Sequence, residues 1–394
     1  MPVEVTKTTQ ERLFSRDFLC VLVAQFANTL GVQTLLATLP VYVVSLGGSR
    51  AEAGLVSGTL YFTALLFRPW TGWLTDAWRR RPLVLIGSSL YGVSSLVYLL
   101  THSIPLLVFG RFVQGLGMSC YSTAAHTYVA DIAPRQRRAE AMGFFAAVQA
   151  IALILGPVLG FMLVNEIGFH YLFYCTAGLG FSTFVISLFA KERRLPSEVN
   201  HRPWTWKTGI VAVSALPISL TMLFLGVGLG AISTFIAIFA QSRGLSNPGF
   251  YFMVQAGALL ISRPLAGRLA DRYGRLIIII PGVIFMTLAL ALLPLAQGFP
   301  HFVVSAALYG MGLGSAQPAI MALLVDRTRK DERGLATSTY FTGYDLGIAI
   351  GAMGLGIVSQ HLGFGAMWGI AAACTGLSLL GILLSRHSGN AAAQ

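Results

Sequence analysis

Twelve long apolar segments follow one another along the 394 residues, and they constrain the fold more than any other feature of the chain. A helix needs about 20 apolar residues to cross the hydrocarbon core of a bilayer, and each segment reaches that length. Because backbone groups in lipid must be hydrogen-bonded within the segment, we predict transmembrane helices. The predicted spans are residues 17–46, 52–75, 82–102, 105–129, 139–165, 168–190, 208–241, 247–269, 276–297, 301–326, 334–361 and 364–386.

The composition excludes several classes of soluble protein. Hydrophobic residues make up 55% of the chain and charged residues 11%, whereas a soluble domain carries roughly 25% charged residues. This composition excludes a soluble enzyme, a nucleic-acid-binding protein and a disordered regulator. The four cysteines lie in apolar stretches without paired spacing, so we expect neither a disulfide framework nor a metal site, and no cofactor.

The net charge of +12 is distributed on one side of the predicted membrane. If the N-terminus is inside, the outer loops contain only Arg50 and Arg243, and the inner segments contain nearly all other Lys and Arg residues. Cytoplasmic loops of membrane proteins carry such an excess. We therefore predict a multi-pass protein of the bacterial inner membrane, embedded in the lipid bilayer with both termini cytoplasmic. A basic surface that binds anionic ligands is the alternative.

The two halves of the sequence align without gaps at a fixed offset of 195 residues. Arg68-Pro69 returns as Arg263-Pro264, and both copies continue with Gly-x-Leu-x-Asp. Chance similarity between apolar helices explains shared Leu and Gly, but it explains this pattern poorly. We predict an all-α membrane protein with two pseudo-symmetric six-helix bundles. The expected domains are a cytoplasmic tail at 1–16, bundles at 17–190 and 208–386, a cytoplasmic linker at 191–207 and a tail at 387–394.

The two copies of this repeated motif end at the predicted cytoplasmic face. Each offers an aspartate that accepts hydrogen bonds from nearby Arg side chains or from free N–H groups at a helix start. Such contacts are easily made in one conformational state and broken in another, which favours a gate on the cytoplasmic face. The alternative is a positively charged cytoplasmic loop that only ends the helix. The predicted gate residues in the motif are Gly72, Asp76, Arg80, Arg81, Gly267, Asp271 and Arg275.

Over about residues 15–386 the chain resembles the major facilitator superfamily. The two motif copies are similar to the signature loops of that family between helices 2 and 3 and between helices 8 and 9. The first copy departs from the pattern at Ala77, where a basic residue is usual, and at Arg79, where glycine is usual. The resemblance implies the twelve-helix fold and a cytoplasmic latch in the outward-open state. It also adds Asp131, at the end of helix 4, and its counterpart Asp326 to the gate.

Two further motifs resemble those of drug–proton antiporters in this family. Span 4 contains Arg111-x-x-Gln114-Gly, and span 5 contains Gly156-Pro157-x-x-Gly160. The resemblance implies export. The two glycines of span 5 form a small face on which we expect a helix of the other half to pack closely, and the proline permits a bend. Ordinary small-residue packing without directional meaning is the alternative.

One carboxylate lies deep within a predicted span. Asp345 is about eleven residues into span 11, which is roughly 16 Å and close to the bilayer midplane. An ionised carboxylate there costs about 2.5–3.5 kcal/mol, so we expect it to face water or an internal partner, or to bind a proton. We predict that Asp345 takes part in proton coupling. The resemblance to drug–proton antiporters implies proton translocation for Arg111, or a place in the polar network of the cavity. His126 on the same helix could titrate near neutral pH and is the third candidate for proton coupling, with hydrogen-bonded packing as the alternative. Whether Arg111 and Asp345 touch is left open, and a permanently hydrogen-bonded acid is the alternative.

Polar and aromatic side chains within the spans predict the lining of a substrate cavity. Span 1 carries amides where many relatives carry an acid, and its only acid is Asp17 at the cytoplasmic end. This difference favours a substrate that needs neutral hydrogen bonds, or an anion or zwitterion held near Arg111. The predicted cavity residues are Gln25, Asn28, Gln33, Arg111, Gln114, Tyr121, Gln149, Gln255, Tyr309 and Tyr344.

These observations predict a secondary active transporter, not an enzyme. We expect a monomeric, proton-coupled antiporter that exports a small amphipathic or zwitterionic compound by alternating access, with protons and the small-molecule substrate as its partners. Three alternatives remain open. They are export of an amino-acid-derived metal chelator, uptake by proton symport or facilitated diffusion, and a non-transport membrane protein such as a channel or receptor.

Overall fold

A computed structural model describes residues 14–77, 79–134, 137–190, 212–245, 247–329 and 332–391; for residues 76, 77, 139, 333, 334 and 383–391 it describes the backbone alone. The predicted linker at 191–207, most of the predicted N-terminal tail and the last three residues lie outside this part of the chain. Every regular element in the described ranges is helical.

The helices follow the apolar segments of the sequence. The first bundle consists of α1 (Arg16–Ser45), α2 (Arg50–Ala77), α3 (Arg80–Leu100), α4 (Ile104–Ile132), α5 (Arg138–Ile167) and α6 (Phe169–Phe189). The second consists of α7 (Leu216–Ser242), α8 (Gly249–Tyr273), α9 (Arg275–Leu292), α10 (Phe299–Arg327) and α11 (Arg333–Ala391), with short 3-10 turns at Val213–Ala215 and Leu293–Leu295.

The long helix α11 contains two of the predicted spans. Gly363 has φ 81° and ψ 173°, a conformation that side-chain-bearing residues rarely adopt, and it interrupts the helical geometry. We call residues 333–362 the first arm and residues 364–391 the second arm. The two arms correspond to spans 11 and 12, so the described residues contain a helical segment for each of the twelve predicted spans in sequence order. Residues 208–211, the predicted start of span 7, lie outside the described part.

The two bundles use the same packing scheme. In the first bundle α1 packs on α5 and α6, while α4 packs on α2 and α3. In the second bundle α7 packs on both arms of α11, while α10 packs on α8 and α9. The corresponding helices are related by the offset of 195 residues. The structure confirms the predicted fold class of two pseudo-symmetric six-helix bundles.

Three helices differ from the others in their apolar character. Among the described residues, eight helices are long and apolar enough to cross a membrane, and α11 is long enough for two crossings. The exceptions are α2, α4 and α8, which carry Arg68, Arg111 and Arg263, respectively. Because an interior arginine is costly in lipid, these helices need a polar environment inside the protein.

The bundles meet near one end of the molecule. We call the end with Arg80, Arg137 and Arg275 the basic end, and the other the opposite end. Contacts between the bundles join α2 to α11, α5 to α8 and α1 to α7. Near the opposite end, a Cβ on Gly58 would lie 3.1 Å from the carbonyl oxygen of Ala349, so α2 and the first arm are nearly in backbone contact. The bundles are therefore closed at the opposite end.

Candidate functional site

A cavity of about 1440 Å³ lies between the two bundles. Its walls come from α1, α2, α4 and α5 of the first bundle and from their counterparts α7, α8, α10 and the first arm of α11. It extends from Gln33 and Ser233 in the interior to Thr75, Thr127 and Leu335, which lie within two turns of the helix ends at the basic end. The cavity is therefore open to the basic end.

An ion pair crosses this cavity from one bundle to the other. Nη2 of Arg68 on α2 lies 2.5 Å from Oδ2 of Asp345 on the first arm of α11. Asp345 is buried, twelve residues or about 18 Å from the start of its helix, and Arg68 also lies 5.9 Å from the ring centroid of Phe341. The pair neutralises the deep carboxylate and links the bundles.

Arg111, which the sequence offered as a partner of Asp345, lies in another polar cluster. It is fully buried within the first bundle, where its guanidinium donates to the Gln114 side chain (2.8 Å) and to the Leu35 carbonyl (3.0 Å). The Tyr98 hydroxyl donates to the same Gln114 oxygen (3.0 Å). Arg111 and Gln114 thus connect α1, α3 and α4 inside the first bundle, behind the cavity wall. The partner of Asp345 in this structure is therefore Arg68 and not Arg111.

Five of the residues predicted for proton coupling or for substrate contact line the cavity: Gln33, His126, Gln255, Tyr344 and Asp345. His126 Nδ1 lies 2.8 Å from the Ser122 carbonyl oxygen. Because a carbonyl only accepts hydrogen bonds, Nδ1 carries the proton in this arrangement. In this tautomer the other ring nitrogen, Nε2, carries the lone pair.

The other predicted cavity residues lie outside the cavity lining. Gln25 donates to Thr29 Oγ1 (2.8 Å), and Tyr121 packs edge-on against Tyr91. The buried residues of this second group are Gln25, Asn28, Arg111, Gln114, Tyr121 and Tyr309, and Gln149 on α5 is half-buried.

Arg68 and its counterpart Arg263 line the cavity, although neither is among the residues predicted for the site. A signal for them was present. Tyr61, Leu65, Arg68 and Gly72 are spaced at i, i+4, i+7 and i+11, so they share one face of α2, and all four line the cavity. A cavity-facing stripe along α2 therefore leads from Tyr61 to Arg68.

The predicted gate residues form ion pairs within each bundle. Arg80 Nε lies 2.9 Å from Asp131 Oδ2, and Arg275 pairs with both Asp271 and Asp326, the latter at 3.3 Å. The Arg80–Asp131 and Arg275–Asp326 pairs are equivalent by the 195-residue offset. In this open state the charges at the basic end hold each bundle together and leave the entrance free.

The remaining gate residues have different surroundings. Arg81 Nη2 donates to the Leu188 carbonyl (2.6 Å), Gly72 lines the cavity, and the space beside Gly267 is open. The side chain of Asp76 lies outside the described part of the chain. The latch in which Asp76 takes part therefore stays a prediction.

The small-residue face of span 5 packs on a different helix from the one expected. A Cβ on Gly156 would lie 2.6 Å from Gln33 Cβ, and one on Gly160 would lie 3.0 Å from Thr34 Cγ2, so both glycines face α1 of the same bundle. The Thr34 hydroxyl donates to the Gly156 carbonyl (3.0 Å). The expectation of a partner helix in the other half is wrong, because this face is occupied by α1; Pro157 lines the cavity.

Comparisons with known proteins agree with this architecture. The family model of the Major Facilitator Superfamily matches residues 21–261 and 249–393. The MFS-type transporter MJ1560 of Methanocaldococcus jannaschii is 23% identical over 362 residues, covering 89% of this chain and 93% of that protein. The quinolone resistance protein NorA of Staphylococcus aureus (strain MSSA476) is 23% identical over 313 residues, with 75% and 78% covered.

Solved structures show the same fold at low sequence identity. A POT family transporter in complex with a thioalcohol-conjugated peptide superposes with a TM-score of 0.81 at 14% identity, over 95% of this chain and 96% of that one. The nucleoside transporter NupG gives 0.74 at 15% identity, with 94% and 98% covered. With the family model matching nearly the whole sequence, the chain belongs to the major facilitator superfamily of membrane transporters.

Proposed function

We propose that the chain is a proton-coupled antiporter that exports small amphipathic compounds from the cytoplasm by alternating access. The observation that carries this proposal is the Arg68–Asp345 pair, which joins the bundles inside the cavity. The excess of Lys and Arg at the basic end favours a cytoplasmic location for that end, with both termini inside a bacterial inner membrane. In that orientation the structure is the inward-open state.

A proton and Arg68 compete for the Asp345 carboxylate. When Asp345 is ionised, the pair links α2 to α11, the same two helices that pack together at the opposite end. The link stabilises the inward-open state and holds the empty carrier there. When Asp345 binds a proton, its charge is lost, Arg68 is released and the link disappears. The bundles are then free to separate at the opposite end.

The direction of transport follows from the order of these steps. In the outward-open state Asp345 takes a proton from outside, and in the inward-open state Arg68 displaces that proton toward the cytoplasm. The change from the inward-open to the outward-open state then requires a substrate that occupies the cavity and weakens the Arg68–Asp345 pair. The resistance named for the Staphylococcus aureus relatives supports export, and it makes a quinolone a suitable first compound for transport assays.

The test measures conformation against pH in the full-length protein. Spin labels are attached at N165C and Q241C, exposed sites at the opposite end of α5 and α7, after the four native cysteines are replaced by serine. We expect the labels to move apart as the pH falls from about 8 to about 5, because protonation breaks the pair. D345N is expected to show the separated distance at every pH.

Two variants serve as controls in the same measurement. R68Q removes the partner instead of the acid, so it is expected to separate the labels at neutral pH. E166Q changes an exposed carboxylate at the opposite end and is expected to behave like the native protein. A native pH response in D345N, or the absence of any response in the native protein, would contradict the proposal. Export of norfloxacin into acidic proteoliposomes, lost in D345N, is the corresponding transport measurement.

A further inference from the structure

The charged residues of the cavity do not balance. Two arginines, Arg68 and Arg263, line it together with a single carboxylate, Asp345. Asp345 is paired with Arg68. Arg263 lies on α8 with an exposed side chain, and none of the ion pairs in the described ranges includes it. The wall around Arg263 therefore carries an excess of one positive charge.

The internal repeat relates this excess positive charge to the Arg68–Asp345 pair of the other half. With the 195-residue offset, Arg68 corresponds to Arg263, whereas Asp345 corresponds to Ala150 on α5. The second copy of the cavity pair thus has the cation but an alanine in place of the acid. An arginine within the membrane region is costly unless water or an anion compensates its charge. The second half therefore has no carboxylate at the position equivalent to Asp345, while its arginine lines the cavity.

A second polar group faces the same wall. Gln255 lies two turns before Arg263 on α8, is 8% exposed and lines the cavity, and its Oε1 has no hydrogen-bond partner within the described part of the chain. Eight residues of helix separate the two by about 12 Å. Leu259 lies between them and also lines the cavity. This wall therefore presents a cation, an apolar surface and a hydrogen-bond acceptor in succession.

We propose that Arg263 is an anion subsite, so that the preferred substrates are amphipathic organic anions. The carboxylate or sulfonate of such a compound pairs with the guanidinium, its apolar body packs on Leu259, and an N–H or O–H group at its far end donates to Gln255. A planar guanidinium suits this role because it donates two parallel hydrogen bonds to a carboxylate. The inference rests on the proposed transport function and specifies its substrate class.

The test compares three compounds that share one apolar body. Binding of 2-naphthoate, 2-naphthylmethanol and 2-naphthylmethylammonium to the full-length protein is measured by isothermal titration calorimetry. The protein is held in nanodiscs of phosphatidylcholine, which carries no net charge, so anionic lipid does not compete for the site. We expect the native protein to bind naphthoate about tenfold more tightly than the alcohol, and the ammonium compound least tightly.

Variants assign that preference to one side chain. R263Q is expected to bind naphthoate and the alcohol equally, while R263K keeps part of the preference. R268Q removes a cation five residues further along the same helix, outside the cavity wall, and is expected to match the native protein. The proposal is overturned if the native protein shows no naphthoate preference, including no binding, or if R263Q retains it. Because these measurements use one pH and no gradient, their outcome is independent of proton coupling.

A competition experiment distinguishes small organic anions from lipid headgroups as ligands of Arg263. Addition of phosphatidylglycerol to the nanodiscs is expected to leave naphthoate affinity nearly unchanged if the site prefers small organic anions. A tenfold or larger loss of naphthoate affinity in the native protein, absent in R263Q, would assign the subsite to a lipid headgroup and overturn the substrate proposal.

Discussion

The two ends of the interface between the bundles are built in different ways. At the opposite end, glycines bring α2 against the first arm of α11, and Arg50 reaches across to the second bundle. At the basic end, Arg80 and Arg275 form their ion pairs within their own bundles. The closed end is therefore held by contacts that must break when the carrier changes state, and the open end by contacts that need not.

This difference assigns separate energetic roles to the residues that connect the bundles and to the residues that form ion pairs within one bundle. Side chains that bridge the bundles, together with close backbone contacts, set the balance between the two states of the carrier. Ion pairs within a bundle set the stability of that bundle. Substitutions that disturb contacts between the bundles at the opposite end should therefore shift the conformational equilibrium. Substitutions that remove the Arg80–Asp131 or Arg275–Asp326 pair should lower stability without shifting it.

The largest effect is expected from G54L. A Cβ at residue 54 would contact the Ala352 carbonyl oxygen and would lie 3.2 Å from Gly356 Cα and from the Phe235 ring, so the larger side chain has no room while the bundles are closed. Overpacking of this kind costs about 3 kcal/mol, which reduces the population of the closed form more than a hundredfold. The distance between spin labels at N165C and Q241C should lengthen.

G178L provides the matched control for that variant. Gly178 lies on α6 with open space where a Cβ would be placed, so the same substitution there should leave the label distance unchanged. If G54L keeps the native distance and the native thermal stability, the opposite end is not the closed contact between the bundles.

The sequence predicted the bundles better than it predicted the site, and particular residues show why. The length of the apolar segments and the spacing of the repeated Arg-Pro motif are read along the sequence without knowing how the helices pack. These features therefore predict the helices and their pseudo-symmetry. Asp345 was found because one acid lay deep in a span. Arg68 was not identified as the partner of Asp345, because the spans contain three interior arginines. Which of them reaches the carboxylate depends on how each helix is rotated about its axis. Likewise, Gly156 and Gly160 predict a close neighbour but do not identify the helix.

A smaller shift is expected from R50A. Arg50 Nη1 donates to the Ser359 carbonyl (2.9 Å), and its guanidinium lies 4.1 Å from the ring centroid of Phe364, so one side chain makes both contacts with the second bundle. Their loss removes about 2 kcal/mol from the closed form, or at least a tenfold change in population. R243A is the control, because Arg243 stacks on Phe239 of its own bundle. Equal label distances in R50A and the native protein would contradict this prediction.

The smallest effects are expected at the basic end, where the two equivalent pairs differ in burial. The side chains of Arg80 and Asp131 are 8% and 28% exposed, whereas those of Arg275 and Asp326 are 27% and 55% exposed. Because water screens an exposed pair, D131N should lower the free energy of unfolding by about 1 kcal/mol and D326N by less than about 0.5 kcal/mol. Thermal unfolding in detergent measures both variants, and the spin-label distance should stay native in each. A larger loss of stability in D326N than in D131N would show that burial does not set the strength of these pairs.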